Sequence, residues 1–230
     1  MTGTWINVAT VLCGGLLGRF LGNRFPDKMR QTVVAGLGLV TVVIGLQLAL
    51  QTTDVLILLG SLLAGGIIGE LLDLDGRINR AAQRVEDRFT RGGEGSGALA
   101  RAWVTTSLLF CVGPLTFTGA IQDGLTGDYH LLATKAMLDG FAALAFGSAL
   151  GLGVLASAGT VLVYQGGLSL AAGAAKAALS TAMIGEMSAA GGVLVLAIGL
   201  GLLELKAIRV ANFLPALVIA PAVVAVLAGF

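Results

Sequence analysis

Eight long, continuous apolar runs dominate this chain, near residues 4–21, 31–50, 54–72, 99–120, 131–155, 158–175, 186–204 and 211–229. A helix crossing a bilayer needs about 20 mainly apolar residues. A membrane barrel would instead alternate apolar and polar residues over about 10 positions. Of the 230 residues, 56% are hydrophobic and 12% charged, with a mean hydropathy of +0.93. An ordinary soluble domain carries about 25% charged residues, and one soluble core of this length cannot hide such an apolar excess. The sequence therefore predicts an all-α, polytopic transmembrane helical bundle of about eight spans, forming a single domain over residues 1–230. Disorder and a disulfide scaffold are excluded, and a net charge of +1 supplies no basic footprint for nucleic acid.

The first run does not have the form of a cleaved signal peptide. Met1 to Asn7 contains no Lys or Arg, and Arg19, Arg24, Lys28 and Arg30 follow the apolar stretch rather than precede it. Orientation follows from the fourteen Lys and Arg. With the N-terminus outside, the inner side collects Arg19, Arg24, Lys28 and Arg30, then Arg77, Arg80, Arg84, Arg88, Arg91 and Arg101, and finally Lys206 and Arg209. Only Lys135 and Lys176 fall on the other side. Both termini are expected to face the outer compartment.

The longest polar segment is a cytoplasmic loop over residues 73–97. Within it Ile78, Ala82, Val85 and Phe89 recur at helical spacing beside a stripe of Arg77, Arg80, Arg84, Arg88 and Arg91. This predicts a short basic amphipathic helix on the membrane surface, its Arg77, Arg80, Arg84 and Arg88 meeting anionic headgroups, then a Gly/Ser-rich tether. The bland alternative is a solvated linker. Asp73-Leu74-Asp75-Gly76 lacks the remaining ligands of a calcium loop.

Small residues let helix backbones approach in lipid. Gly14, Gly18 and Gly22 are spaced by four, as are Gly65 and Gly69, and Gly147 and Gly151. Such faces serve internal packing or a homodimer. A shift of 133 residues also lays Gly14, Leu17 and Gly18 on Gly147, Leu150 and Gly151, and Leu63, Ala64 and Gly66 on Leu196, Ala197 and Gly199. That register describes a parallel four-plus-four repeat, and transporters are often built from repeats.

Chemistry in such a chain is sought among ionisable residues inside spans, which are costly unless they face a cavity or a partner. Lys135 and Asp139 are four apart on the fifth span and share a helix face. They form either an ion pair that fixes packing or a charge-compensated site for a solute or ion. Gln165 and Glu186 are the further candidates of spans six and seven. Glu70 and Glu204 close their spans and read as interfacial. The fourth span is interrupted at Gly113-Pro114 and flanked by Thr116 and Thr118. Proline frees carbonyls that are tolerated in a membrane only beside protein or a watery cavity, although a plain kink has the same signature. Tyr164-Gln165-Gly166-Gly167 puts polar groups inside span six; Asn212, Pro215 and Pro221 mark span eight. Cys13 and Cys111 are isolated. His130 is the single histidine, and no nucleophile elbow, phosphate loop or paired-histidine metal motif occurs. No metal, cofactor or enzymatic activity is expected.

At these residues the sequence resembles a bacterial membrane family, domain of unknown function 554. The resemblance rests on Leu109-Phe110-Cys111-Val112-Gly113 and on Gly119-Ala120-Ile121-Gln122-Asp123-Gly124-Leu125-Thr126-Gly127-Asp128. It extends through Lys135 with Leu138-Asp139-Gly140, Tyr164-Gln165-Gly166, Glu186-Met187-Ser188-Ala189, and Asn212 with Leu214-Pro215-Ala216-Leu217. Gly201 departs from the pattern the resemblance implies, which leads one to expect Asn there. The resemblance covers nearly the whole chain and implies an inner-membrane protein; it brings no activity with it. Asp123, inside the second of these runs, joins the candidate site residues.

The expected function is a secondary or ion-coupled carrier of a small solute or ion. Its site comprises Lys135, Asp139, Gln165, Glu186, Thr116, Thr118 and Asp123. An ion channel and a non-transporting structural or regulatory subunit are the alternatives.

Overall fold

The computed structural model describes residues 1–22, 26–80, 96–112, 114–174 and 179–228. The elements are α1 (Thr2–Gly22), α2 (Asp27–Ala49), α3 (Val55–Leu71), α4 (Leu74–Arg80), α5 (Ser96–Cys111), α6 (Pro114–Thr126), α7 (His130–Leu150), α8 (Gly153–Leu170), α9 (Thr181–Leu202), a 3-10 turn (Val210–Phe213) and α10 (Ala216–Ala228). No strand occurs among the described residues. The chain is an all-α helical bundle of the polytopic membrane type. Six helical stretches are long and apolar enough to cross a membrane, and eight do so if each of two bent pairs counts as one span. Those pairs are α3 with α4, bent by 54°, and α5 with α6, bent by 71°. Pro114 opens α6, the position where a missing N–H costs least, and Thr116 Oγ1 donates to the Phe110 carbonyl across the break at 3.2 Å. Of the expected basic surface helix, Arg77 and Arg80 fall on α4; Arg84, Arg88 and Arg91 lie outside the described residues.

The helices sort into two compact units that interleave along the chain. The first comprises Met1–Leu37, Asn79–Cys111 and Leu115–Lys176. At its centre α1 lies against α7 with almost no space between backbones. A β-carbon at Gly14 would stand 2.2 Å from the Gly140 carbonyl oxygen. At Gly18 it would stand 2.1 Å from that of Leu144, and at Gly22 2.2 Å from that of Ser148. The contacts advance by four on both helices, so α1 and α7 run parallel. In α8, Gly153 meets Leu99 of α5, and Thr160 accepts from Trp103 Nε1 at 2.9 Å; these helices are parallel too. Thr4 meets Gln165 whereas Gly15 meets Leu155, so α1 and α8 are antiparallel.

The second unit comprises Gly38–Ile78, Val112–Pro114 and Ala177–Phe230. Here Gly45 faces Leu196 and Gly38 faces Leu203, which makes α2 and α9 antiparallel. Gly65 meets Ala216 and Gly69 meets Asn212, so α3 and α10 are antiparallel as well.

These directions bear on the span count. In an up-and-down chain, spans separated by an even number of steps run the same way. Counting each bent pair once, α1 and α7 are spans one and five, and α5 and α8 are spans four and six. Both pairs are parallel, while spans one and six, two and seven, and three and eight are antiparallel. Had α5 and α6 been two separate crossings, α1 and α7 would have to oppose each other. Their packing within one unit fits the eight-span reading.

Because Gly18 sits against a carbonyl rather than a flexible side chain, Gly18→Ala should lower stability by about 1–3 kcal/mol, the usual cost of overpacking. Gly159, whose β-carbon would meet nothing within 4 Å, is the control: Gly159→Ala should leave the thermal unfolding midpoint in detergent unchanged or raise it.

Candidate functional site

The densest buried polar cluster lies within the first unit, on three helices. Helix α1 supplies Thr4 and Asn7, one turn apart; α7 supplies Lys135 and Asp139; α8 supplies Gln165. Thr4, Asn7 and Gln165 are fully buried, and Lys135 and Asp139 are only 6% and 7% exposed. Lys135 Nζ donates to Asp139 Oδ2 in an i, i+4 ion pair. The same carboxylate oxygen accepts from Asn7 Nδ2 at 2.9 Å. Asn7 Nδ2 also donates to Gln165 Oε1 at 3.0 Å, and Gln165 Nε2 to Thr4 Oγ1 at 3.3 Å. One charge pair thus heads a chain of neutral groups across three helices.

Isolated charges this deep lose several kcal/mol of hydration each, and the pair is sustained only by its mutual attraction and added hydrogen bonds. The network supplies those bonds yet is incomplete. Asn7 Oδ1 is buried with no hydrogen-bond partner among the described residues, and an unmet buried acceptor costs about 1–3 kcal/mol.

Asp123 stands at the end of α1 in the same unit. Its Oδ2 accepts from Gly3 N at 3.1 Å and pairs with the amino group of Met1 at 3.0 Å. A carboxylate here satisfies first-turn N–H groups and complements the helix dipole. Its Oδ1 is buried without a partner among the described residues, as is Ser169 Oγ of α8.

Glu186 belongs to the second unit and is engaged there. Its carboxylate accepts from Thr52 Oγ1 at 2.8 Å, Thr53 N at 2.7 Å, Thr53 Oγ1 at 3.1 Å and Asp54 N at 3.2 Å. Asp54 in turn caps α3 by accepting from Leu56 N at 2.8 Å. The arrangement pins the turn between α2 and α3 onto the start of α9. Of the other candidates, Thr116 bridges the α5–α6 break, and the side chain of Thr118 lies outside the described residues. Glu70 and Glu204 are exposed; Glu70 meets Arg209 at 3.0 Å and accepts from Asn212, whose Oδ1 takes the Asp75 N–H at 2.8 Å.

Sequence reasoning thus anticipated Lys135, Asp139 and Gln165 as a group but passed over Asn7 and Thr4. The available signal was an amide and a hydroxyl one turn apart inside an apolar span. Among the described residues no group of three or more His, Cys, Asp or Glu is placed to hold a metal ion. Between α6 and α7, the backbone N–H and ring of His130 beside Asp128 hold its carboxyl below the usual aspartate range.

A bundle of membrane-length helices enclosing a charged network defines the chain as a polytopic membrane protein. It belongs to the family described as protein of unknown function (DUF554), whose model matches residues 2–225. It is 30% identical over 234 residues to the uncharacterized membrane protein YdfK of Bacillus subtilis (strain 168), covering 100% of this chain and 98% of that protein. It is 32% identical over 220 residues to the uncharacterized protein YqgA of Escherichia coli (strain K12), covering 95% and 94%. No solved structure matches.

Proposed function

We propose that the protein is a carrier that moves a small solute or ion across a bacterial inner membrane, using the Lys135–Asp139 network as its polar site. The observation that carries this reading is the buried ion pair, bonded to the Asn7 amide of α1 and through it linked to Gln165 of α8, with the Asn7 oxygen left unmet. Ionisable groups inside spans mark substrate or ion pathways by default. A pair serving packing alone is replaceable by apolar residues of similar volume, often with no loss of stability. The unmet Asn7 Oδ1 is the feature that packing does not explain.

The same proposal sets both termini outside, with Arg77 and Arg80 near inner-leaflet headgroups and a glycine-lined face available for a homodimer. Reporter fusions after Gly93 should read cytoplasmic and fusions after Phe230 periplasmic; a cytoplasmic C-terminus contradicts the orientation.

The carrier reading is tested by the double change Lys135→Met with Asp139→Leu. The double variant should fold, because it leaves no orphaned charge, and should lose flux of a labelled solute and ion panel into liposomes. Each single variant should be destabilised by about 3–5 kcal/mol through its unpaired charge. Flux that survives the double change makes the pair structural.

A further inference from the structure

We infer that the Lys135–Asp139 network is an exchange site in which a small monovalent cation replaces the Lys135 ammonium on Asp139 and Lys135 gives up its proton. This rests on the carrier reading above and names the class of ion for that same site. The donor set supports it. The Asp139 carboxylate, Gln165 Oε1, Thr4 Oγ1 and the unpartnered Asn7 Oδ1 are all oxygens, gathered on three helices and buried. Oxygen is the ligand of hard cations. Asn7 is decisive, because its amide nitrogen holds both neighbours while its oxygen is left without a hydrogen atom to accept. A bound cation satisfies an acceptor of that kind.

Charge fixes the stoichiometry. The site holds one carboxylate and one ammonium, so it is neutral. A monovalent cation added on top would leave one uncompensated charge in a low-dielectric interior, at several kcal/mol. If the ammonium transfers one proton to solvent as the cation arrives, the site stays neutral: one cation in, one proton out, with Lys135 left as an amine. A divalent ion would leave a net positive charge. The other titratable groups near the pair are Cys111 of α5, in electrostatic range of both members, and Tyr164 of α8, in range of Cys111. On α1 the facing groups are Thr4 and Asn7, which do not titrate. Asp123 of α6 is already paired with the Met1 amino group. Lys135 is therefore the group positioned to release the proton.

The test is the thermal unfolding midpoint of the full chain in detergent. Sodium chloride replaces choline chloride at constant ionic strength across a series of pH values. The wild type should be stabilised by sodium, with the half-saturating concentration falling about tenfold per pH unit, as release of one proton per cation requires. Lys135→Met should bind sodium more tightly and without pH dependence. The double variant Lys135→Met with Asp139→Leu should not respond. Wild type and double variant suffice if Lys135→Met does not fold. A wild-type response no larger than that of the double variant overturns the inference, and so does a response independent of pH. Solute flux without any sodium effect would refute the cation site while sparing the carrier reading. Sodium binding without flux of any solute or ion would do the reverse.

Discussion

The first unit depends on how closely α1 approaches α7. Lipid tails are as apolar as the helix surfaces they meet, so the hydrophobic effect gives these helices no reason to associate. Contact must come from packing and interhelical hydrogen bonds. From Gly14 onward, Gly14, Gly18 and Gly22 leave the face of α1 toward α7 without side chains, and the carbonyls of Gly140, Leu144 and Ser148 fill the space. That approach lets a side chain as short as asparagine reach from Asn7 to Asp139 at 2.9 Å. With a larger residue along the seam, the ion pair would lose the hydrogen bond that ties it to α1 and, through Gln165, to α8.

The buried carboxylates divide by what surrounds them. Glu186 in the second unit accepts four hydrogen bonds from three consecutive residues and joins two ends of that unit. Asp123 in the first unit also sits at a helix end but keeps one oxygen unmet. Asp139 lies within a helix and shares one oxygen between an ammonium and the amide nitrogen of Asn7, whose own oxygen is unmet. Saturation at Glu186 and the unmet Asn7 acceptor beside the Asp139 network distinguish the two sites, although both are charged residues in apolar spans.

Much of this was legible in the sequence because membranes impose simple rules. Continuous apolar runs marked the membrane-length helices, and the i, i+4 spacing of Lys135 and Asp139 gave their pairing. Pro114 marked the break at α6. The partners were less legible. Asn7 lies in the first turns of a span, where a polar residue reads as interfacial flank, and only the proximity of α7 makes it a network member. Glu186 was grouped with Lys135 because both are ionisable and intramembrane, yet its partners Thr52 and Thr53 sit in a loop 133 or more residues away. The interleaving of the units was likewise invisible, since it depends on which glycine face meets which backbone.

The site is built on Lys135 and Asp139 facing each other as charged groups in the interior of the first unit. Infrared difference spectroscopy of wild type against Asp139→Asn near neutral pH tests this most directly. The substitution should remove a carboxylate band and leave the protonated-carboxyl region unchanged. Loss of a protonated-carboxyl band in the variant would show Asp139 neutral in the native protein and contradict the ion pair on which the site is built.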